Sequence, residues 1–145
     1  MQKDVVISIV GKQDNGEDQD SIELTTTGQL YQKPEGFYIC YEDSEATGFQ
    51  GSRTVVKVEG NNRVTMTRRG GKMRTELVVE QGKRHLCRYD TEYGQLTIGV
   101  SGNQIDNRLD PEGGIVRFMY TLDVNTTFES KNEVTIEVKS AQLPQ

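Results

Sequence analysis

Hydrophobic and polar residues alternate along most of the chain, as Val5, Ile7 and Ile9 do near the N-terminus. A repeat of two residues is typical of an antiparallel β-strand that buries one face and exposes the other. The alternating positions are rich in β-branched and aromatic side chains, which pleated sheets favour. The pattern predicts strands at 5–10, 22–26, 37–42, 54–59, 64–67, 76–80, 84–89, 95–101, 117–124 and 133–139.

Turn sequences that contain glycine or asparagine separate these strands. From residue 53 to residue 101 they recur about every ten residues, which indicates consecutive hairpins in a meander. The acidic stretch 13–20 is the best candidate for a loop, and we expect a short strand around 105–109 within the mixed segment 101–114. No stretch of ten residues carries the apolar stripe of an amphipathic helix, so little or no helix is expected.

The chain has 145 residues and a mass of 16.3 kDa, which indicates a single domain over residues 1–145. Only 33% of its residues are hydrophobic, so these must gather on one face of each strand to form a core. About nine or ten strands in one sheet curl or close, and a meander closes most readily into an up-and-down barrel. The sequence therefore predicts an all-β fold, a single closed antiparallel meander barrel of about 8–10 strands that can enclose one small ligand.

Several stretches together carry a family resemblance: 52–58, 64–71, 85–94, 98–100, 113–114, 118–123 and 132–138. They resemble the YwiB-like family of small bacterial proteins, typical of Firmicutes, over residues 3–140, and most specifically over 53–100. The resemblance implies a closed barrel of the calycin or lipocalin-like group and carries no known activity or catalytic residue. The chain has no tryptophan and so lacks the glycine-x-tryptophan signature of classical lipocalins. A carrier function for retinoids or odorants is therefore not implied.

The N-terminus indicates a cytoplasmic protein. Its apolar stretch is broken by Ser8, and the basic start and small-residue cleavage site of a secretory signal are missing. No apolar run is long enough to span a membrane. In a reducing compartment we expect Cys40 and Cys87 to be small buried hydrophobes rather than a disulfide or metal ligands. No membrane contact is expected.

Charge is segregated along the chain behind the net charge of −5. Residues 1–52 carry −7, residues 53–88 carry +7 and residues 89–145 carry −5. Three interpretations stay open for the basic segment: its strands pair with acidic neighbours, they hold an anion site, or they present an outward patch to an acidic protein or RNA. Nucleic acid is an unlikely partner because the pI is about 5.0 and aromatic residues are not interleaved with the basic ones. The candidate patch consists of Arg69, Lys72, Arg74, Lys83, Arg84 and Arg88.

Six side chains are candidates for a ligand site inside the barrel, and each has a structural alternative. Alternation puts His85 and Tyr89 on the inward face of their strand, because the opposite choice would bury two arginines. Arg68 is expected to point inward at a barrel end, where it would clamp an anion or form an ion pair with Asp43 or Glu42. The other candidates, which stack on a ligand or belong to the core and its cap, are Tyr93, Tyr41 and Tyr120.

Enzyme signatures are absent from the sequence. Residues 70–72 lack the spacing of a phosphate-binding loop, and no Gly-x-Ser-x-Gly elbow exists. No catalytic residue, metal or cofactor is expected. The favoured function is non-catalytic binding of a small molecule, an anionic one among the candidates, inside the barrel. The alternative is an interaction protein that uses its basic outer face, while an enzyme would need His85 beside a second titratable group in a cavity. The oligomeric state stays open.

Overall fold

A computed structural model describes residues 2–43, 51–71, 73–91, 93–124 and 127–141 of the chain. These residues form ten β-strands and no helix, as the alternating pattern predicts, so none of them belongs to a helix that could cross a membrane. The strands are β1 (Gln2–Asp14), β2 (Gln19–Lys33), β3 (Gly36–Glu42), β4 (Arg53–Glu59), β5 (Arg63–Gly70), β6 (Met73–Glu80), β7 (Arg84–Thr91), β8 (Gly94–Asp110), β9 (Gly113–Val124) and β10 (Phe128–Ser140).

The ten strands close into one barrel in which each strand pairs antiparallel with the next. The closing ladder joins β1 to β10, from Val5 opposite Ser140 to Asp14 opposite Lys131. The predicted closed meander barrel is therefore confirmed. Closure gives β1 and β10 a partner on both sides, which removes two edges that would otherwise attract other strands.

Strand length divides the barrel wall into two halves. The neighbours β8, β9, β10, β1 and β2 have 12 to 17 residues, whereas β3 to β7 have 7 or 8. The long strands extend past the short ones, so parts of β2 and β8 have a strand on one side only. On β8 the β4–β5 turn covers this edge, because Asn61 Oδ1 accepts a hydrogen bond from the backbone N–H of Asn107 at 2.8 Å.

The length of β8 corrects the expectation of a short strand around 105–109. Its pairing with β9 shifts register between Gly102 and Gln104, which leaves Asn103 as the extra residue of a β-bulge. Buried positions therefore fall at Val100 before the bulge and at Ile105 after it, an odd spacing. A strict period of two ends the predicted strand at this point, because the extra residue moves the side chains that follow it to the other face.

The β1–β2 turn is shorter than the loop predicted for residues 13–20. β1 continues to Asp14 and β2 starts at Gln19, which leaves a turn of four residues. The side-chain oxygen of Asn15 accepts hydrogen bonds from the backbone N–H groups of Glu17 and Asp18, at 3.1 and 2.8 Å. Polar side chains close this turn. The hairpin therefore continues through residues that are not apolar, and the hydrophobic pattern does not reveal it.

Buried apolar side chains from all ten strands fill the barrel interior. The largest fully buried one is Phe118, whose ring stacks on that of Tyr120 with 6.2 Å between the centroids. Cys40 and Cys87 are both buried and free, as predicted for small hydrophobes. The clefts described below therefore lie at a barrel end and on the outer wall.

An ion pair crosses three strands on the outer face of the barrel. Arg84 on β7 donates two hydrogen bonds to Asp123 on β9, at 3.0 and 2.7 Å. The pair passes over Gly99 on β8, where a Cβ atom would lie 2.3 Å from the guanidinium Nη2 and 2.6 Å from a carboxylate oxygen. The hydrogen bond with Asp123 raises the pKa of Arg84, and Asp123 is only 6% exposed. Glycine at position 99 leaves the room that this ion pair needs.

Gly99→Val should destabilise the barrel, because the new side chain would displace the Arg84 guanidinium from the poorly exposed Asp123. We expect the free energy of unfolding, measured in urea, to fall by about 1–3 kcal/mol. Thr97→Val is the matched control, since Thr97 is exposed on the same strand, and it should change stability by less than about 0.5 kcal/mol. Equal stability of Gly99→Val and the wild type would show that the ion pair contributes nothing.

Candidate functional site

The six candidate ligand residues fall at opposite ends of the barrel. We call the end formed by the connections after the odd-numbered strands the tyrosine rim, and the other end the histidine rim. His85 lies near the start of β7, at the histidine rim, and therefore shares no site with Arg68 near the end of β5. The candidates toward the tyrosine rim are Tyr41, Arg68, Tyr89, Tyr93 and Tyr120.

Arg68 forms an ion pair with Asp43 just inside the tyrosine rim. Its Nη2 lies 3.2 Å from Asp43 Oδ1, and its Nε donates a hydrogen bond of 3.3 Å to Oδ2. The Thr54 hydroxyl donates to Asp43 Oδ2 at 2.8 Å and accepts from Arg68 Nε at 3.1 Å. The side chain of Asp43 has no exposed surface, and that of Arg68 is 19% exposed. Of the two predicted alternatives for Arg68, the structure contains the internal ion pair, with Asp43 rather than Glu42.

Tyr41 lies beside this ion pair and is only 4% exposed. Burial is the main cause that raises the pKa of Tyr41, and the nearby Asp43 raises it further, while Arg68 and Thr54 act in the opposite direction. The phenol therefore stays protonated at neutral pH and keeps a hydrogen to donate. We call Tyr41, Asp43, Thr54 and Arg68 the Arg68 cluster.

The other three tyrosines divide between the core and the surface. Burial raises the pKa of Tyr120 to about 12, and the neighbouring Tyr89 adds a smaller effect in the same direction. Tyr89 is half-buried and packs against the core. Tyr93, in the β7–β8 turn, is 93% exposed. Tyr120 and Tyr89 thus occupy the structural positions that the sequence left as alternatives to ligand stacking.

His85 meets Glu80 at the histidine rim, where its Nε2 lies 2.9 Å from Glu80 Oε1. Lys83 Nζ lies 3.1 Å from the second oxygen of Glu80, and an Arg63 nitrogen lies 3.9 Å from the first. The hydrogen bond with His85 is the largest cause that lowers the pKa of Glu80, followed by the one with Lys83. Sequence reasoning missed Glu80, although the tight turn between β6 and β7 brings it back toward Lys83 and His85.

The ladder between β6 and β7 is nearly absent, and side chains replace it. One residue pair is in register there, whereas each other pair of neighbouring strands has at least six in the described chain. Asp90 Oδ2 accepts a hydrogen bond from the Arg74 N–H at 2.9 Å, and Cys87 Sγ accepts one from the Val78 N–H at 3.4 Å. Burial raises the pKa of the Cys87 thiol, so this cysteine is a structural acceptor rather than a nucleophile.

The predicted basic patch is largely neutralised by the chain's own carboxylates. Besides the pair over Gly99, Arg88 contacts Asp90 at 2.9 Å and Arg74 contacts Glu76 at 3.3 Å. The carboxylates of Asp90 and Glu76 are two positions away on the same strand, whereas the charge segregation predicted partners on neighbouring strands. Lys72 lies outside the described residues. Among the arginines of the patch, Arg69 is the one with no carboxylate partner within the described residues.

Arg69 stands in a row of three arginines on adjacent strands. Arg53 on β4 is directly opposite Arg69 on β5, which in turn is opposite Arg74 on β6. Within the described residues, neither Arg53 nor Arg69 has a carboxylate oxygen within 4.0 Å. Like charges that face each other across a sheet are destabilising, so this arrangement favours a bound anion. We call these three residues the arginine row; Arg53 was missed because only strand register reveals the row.

A cleft of about 280 Å³ opens beside the arginine row at the tyrosine rim. Glu42 also lines this cleft and stands opposite Arg53 in register, yet the two side chains form no ion pair. We call it the rim cleft. Strand alternation places Arg53, Thr27, Gln29 and Glu42 on the outer face, so this side of the cleft offers a guanidinium, a hydroxyl and an amide beside one carboxylate. Thr26 and the buried Tyr41 also line the cleft and lie on the inner face.

A larger cleft of about 570 Å³ lies beside the β1–β2 hairpin. Register places Met119 opposite Glu133, and Glu133 opposite Lys12, so these three side chains share one face. Met119 stands between two buried residues of β9, so that face is the outer one. We call this concavity the wall cleft. Its lining holds three carboxylates and two lysines and is therefore not a basic site.

The candidate side chains at both rims are held by the chain's own carboxylates. Arg68 and His85, the strongest candidates for chemistry, each face an internal carboxylate. Among the described residues, no three histidine, cysteine or acidic side chains are grouped as metal ligands would be. What remains open to a ligand is the rim cleft with its arginine row.

Comparison with known proteins identifies the family. The family described as a domain of unknown function, DUF1934, matches residues 7–136. The chain belongs to the DUF1934 family. It is 29% identical over 124 residues to the uncharacterised β-barrel protein YwiB of Bacillus subtilis strain 168, a match that covers 86% of this chain and 84% of YwiB. The crystal structure of the ywiB protein from Bacillus subtilis matches it with a TM-score of 0.82, over 97% of this chain and 94% of that one, at 22% identity.

Membership of the DUF1934 family confirms the resemblance noted in the sequence and agrees with the barrel fold. The similar protein is described as an uncharacterised β-barrel, so the family brings no activity with it. Function must be argued from the residues of this chain.

Asp43→Ala should destabilise the barrel strongly, because it leaves the mostly buried Arg68 guanidinium without its carboxylate. We expect a loss of about 3–5 kcal/mol in the free energy of unfolding, measured in urea. The double variant Asp43→Ala/Arg68→Met should regain much of this loss, since no buried charge is then left alone. Asp106→Ala, which removes the exposed partner of Arg108, is the control and should cost less than about 1 kcal/mol. A double variant as unstable as Asp43→Ala would argue against the ion pair.

Glu80→Gln should lower the melting temperature at neutral pH and have little effect in acid. The pKa of Glu80 is below its ordinary value of 4.5 in the folded barrel. Its carboxylate therefore stabilises the fold above that ordinary value, and the contribution is lost as the pH falls through the lower folded value. Melting curves of the variant and the wild type between pH 7 and pH 3 measure the difference. A difference that stays constant over this range would mean that the carboxylate charge plays no part.

Proposed function

We propose that this protein binds a small anionic molecule, without transforming it, in the rim cleft beside the arginine row. One observation carries the proposal: Arg53 lines the cleft, faces Arg69 across the sheet, and has no carboxylate partner among the described residues. A guanidinium binds carboxylate and phosphate oxygens through two parallel hydrogen bonds, which makes arginine the residue best suited to this task.

Two further donors beside Arg53 support an anion. On the same outer face Thr27 offers a hydroxyl and Gln29 an amide, while Glu42 adds one carboxylate that a ligand must avoid. A volume of about 280 Å³ fits a molecule of a few heavy atoms, such as inorganic phosphate or a small dicarboxylate. Barrel mouths are common places for ligand sites. The proposal moves the ligand from the interior, which the sequence analysis favoured, to the rim, because apolar side chains fill the interior.

Docking of an acidic protein or RNA is the alternative function of the same arginines. It would use Arg53, Arg69 and Arg74 as a surface and would not need the cleft. Nucleic acid stays the less favoured partner, since the chain is acidic overall. A cytoplasmic location, which either function accommodates, stays a prediction from the N-terminal sequence.

Arg53→Gln should weaken anion binding about tenfold or more, since a hydrogen-bonded charge is lost from the site. Inorganic phosphate, pyrophosphate and citrate are titrated into labelled protein at low salt, and the amide NMR signals of Thr26, Thr27 and Gln29 report binding. Arg108→Gln is the matched control, because it removes an exposed arginine from the opposite end of the barrel.

Two results would overturn the proposal. Either none of the three anions shifts the cleft signals at millimolar concentration, or Arg108→Gln weakens binding as much as Arg53→Gln does. An acidic peptide or an RNA that shifts the signals of all three row arginines and leaves those of the cleft unchanged would favour the docking alternative instead.

A further inference from the structure

One half of β2 has a neighbouring strand on one side only. β2 pairs with β1 from Gln19 to Tyr31, but with β3 only from Gly28 to Lys33. Residues 19–27 therefore have β1 on one side and, within the described chain, no strand on the other. We call residues 19–27 the open edge.

The open edge is accessible. Most of its residues are exposed, and Ile22 is 53% exposed, which is high for an apolar side chain. Outside the strand ladders, no backbone hydrogen bond among the described residues reaches residues 19–27, and the ladder with β3 stops at Gly28. The corresponding edge of β8 is different, because Asn61 covers it through its hydrogen bond with Asn107.

The sequence of the open edge lacks most of the devices that protect edges. Residues 19–27 contain no proline, glycine or lysine, and they include Ile22, Leu24 and three consecutive threonines. These residue types favour a strand, and exposed edges of this kind add further strands readily. The edge is protected by two charged side chains, Asp20 and Glu23, which oppose the addition of an acidic strand and admit a basic one.

We propose that the open edge binds an extended segment of a partner protein by β-strand addition, and that this segment alternates apolar and basic residues. The backbone N–H and C=O groups of the open edge supply the binding energy, and the two faces of the added strand set its sequence. Ile22 is paired with Gly11 and Leu24 with Ile9, on the face that continues the barrel interior. Apolar side chains of the added strand would pack against Ile22 and Leu24. Glu23 lies on the opposite face and calls for a basic one.

The charges around the open edge also favour a partner segment with basic residues. From residue 14 to residue 23 the chain carries five acidic residues and no basic one. The wall cleft reaches the start of the edge, through Gln19, Asp20 and Ser21, and can hold a long basic side chain. A second copy of this chain would bring a second acidic edge, so self-pairing is opposed by like charges. Thr26 and Thr27 belong both to the open edge and to the rim cleft, but the charges that this proposal uses are the carboxylates of residues 14–23, so it can hold or fail without the rim cleft.

The experiment uses a capped seven-residue peptide of alternating valine and lysine. We expect it to shift the amide NMR signals of residues 20–25 and to slow their hydrogen exchange, at low salt and micromolar to millimolar peptide. Two control peptides should not bind: one with glutamate in place of lysine, and one with N-methylated backbone amides along its pairing edge. Residues 20–25 line no part of the rim cleft, so their signals separate peptide binding from anion binding.

The protein variant that tests the charge argument is Asp20→Lys/Glu23→Lys. It should weaken binding of the lysine peptide at least tenfold and allow the glutamate peptide to bind. Equal binding of the N-methylated peptide would overturn strand addition, and equal affinity of the variant for the lysine peptide would overturn the role of charge. Dimerisation of the wild type through residues 19–27, seen by sedimentation and by the same exchange signals, would assign the edge to a second copy and overturn the proposal.

Discussion

Closing one sheet from strands of unequal length is the constraint on which this structure depends. Every backbone N–H and C=O group in the wall needs a partner, and closure of β1 against β10 supplies it for most of the chain. Five long strands, however, cannot match five short ones along their whole length. The mismatch leaves unpaired segments on β8 and β2, at opposite ends of the barrel.

Side chains take the place of the ladder where the strands no longer match. Asn61 caps the free part of β8, and Asp90 and Cys87 accept backbone hydrogen bonds between β6 and β7. At Gly102 the approach is so close that a Cβ atom would lie 2.1 Å from the carbonyl oxygen of Glu80. Cys87, predicted as a small buried hydrophobe, and Asp90 thus complete the wall as hydrogen-bond acceptors.

The alternation of side chains predicts what depends on one strand alone. It gives the strands, the closed meander and the inward direction of Arg68, because each follows from a period of two. It fails on β8, where the bulge at Asn103 shifts the period. It also cannot choose between Asp43 and Glu42 as the partner of Arg68, or find the arginine row. The partner of Arg68 and the arginine row both depend on the register between neighbouring strands. The alternation within a single strand does not determine that register.

The position of the candidate sites follows from the shortness of β3. Its last pair with β2 is Tyr41 opposite Gly28, and β2 has nine more residues beyond that pair. Because β3 ends early, the rim cleft opens between β2 and Arg53 of β4, and the same early end leaves residues 19–27 without a second neighbour. The charge segregation of the sequence has a structural counterpart here, since the carboxylates of residues 14–23 surround the open edge and Arg53, which lacks a carboxylate partner among the described residues, lines the cleft. Apolar side chains from all ten strands occupy the interior, so within the described chain this rim is where backbone beyond the last β2–β3 pair and an uncompensated charge lie side by side.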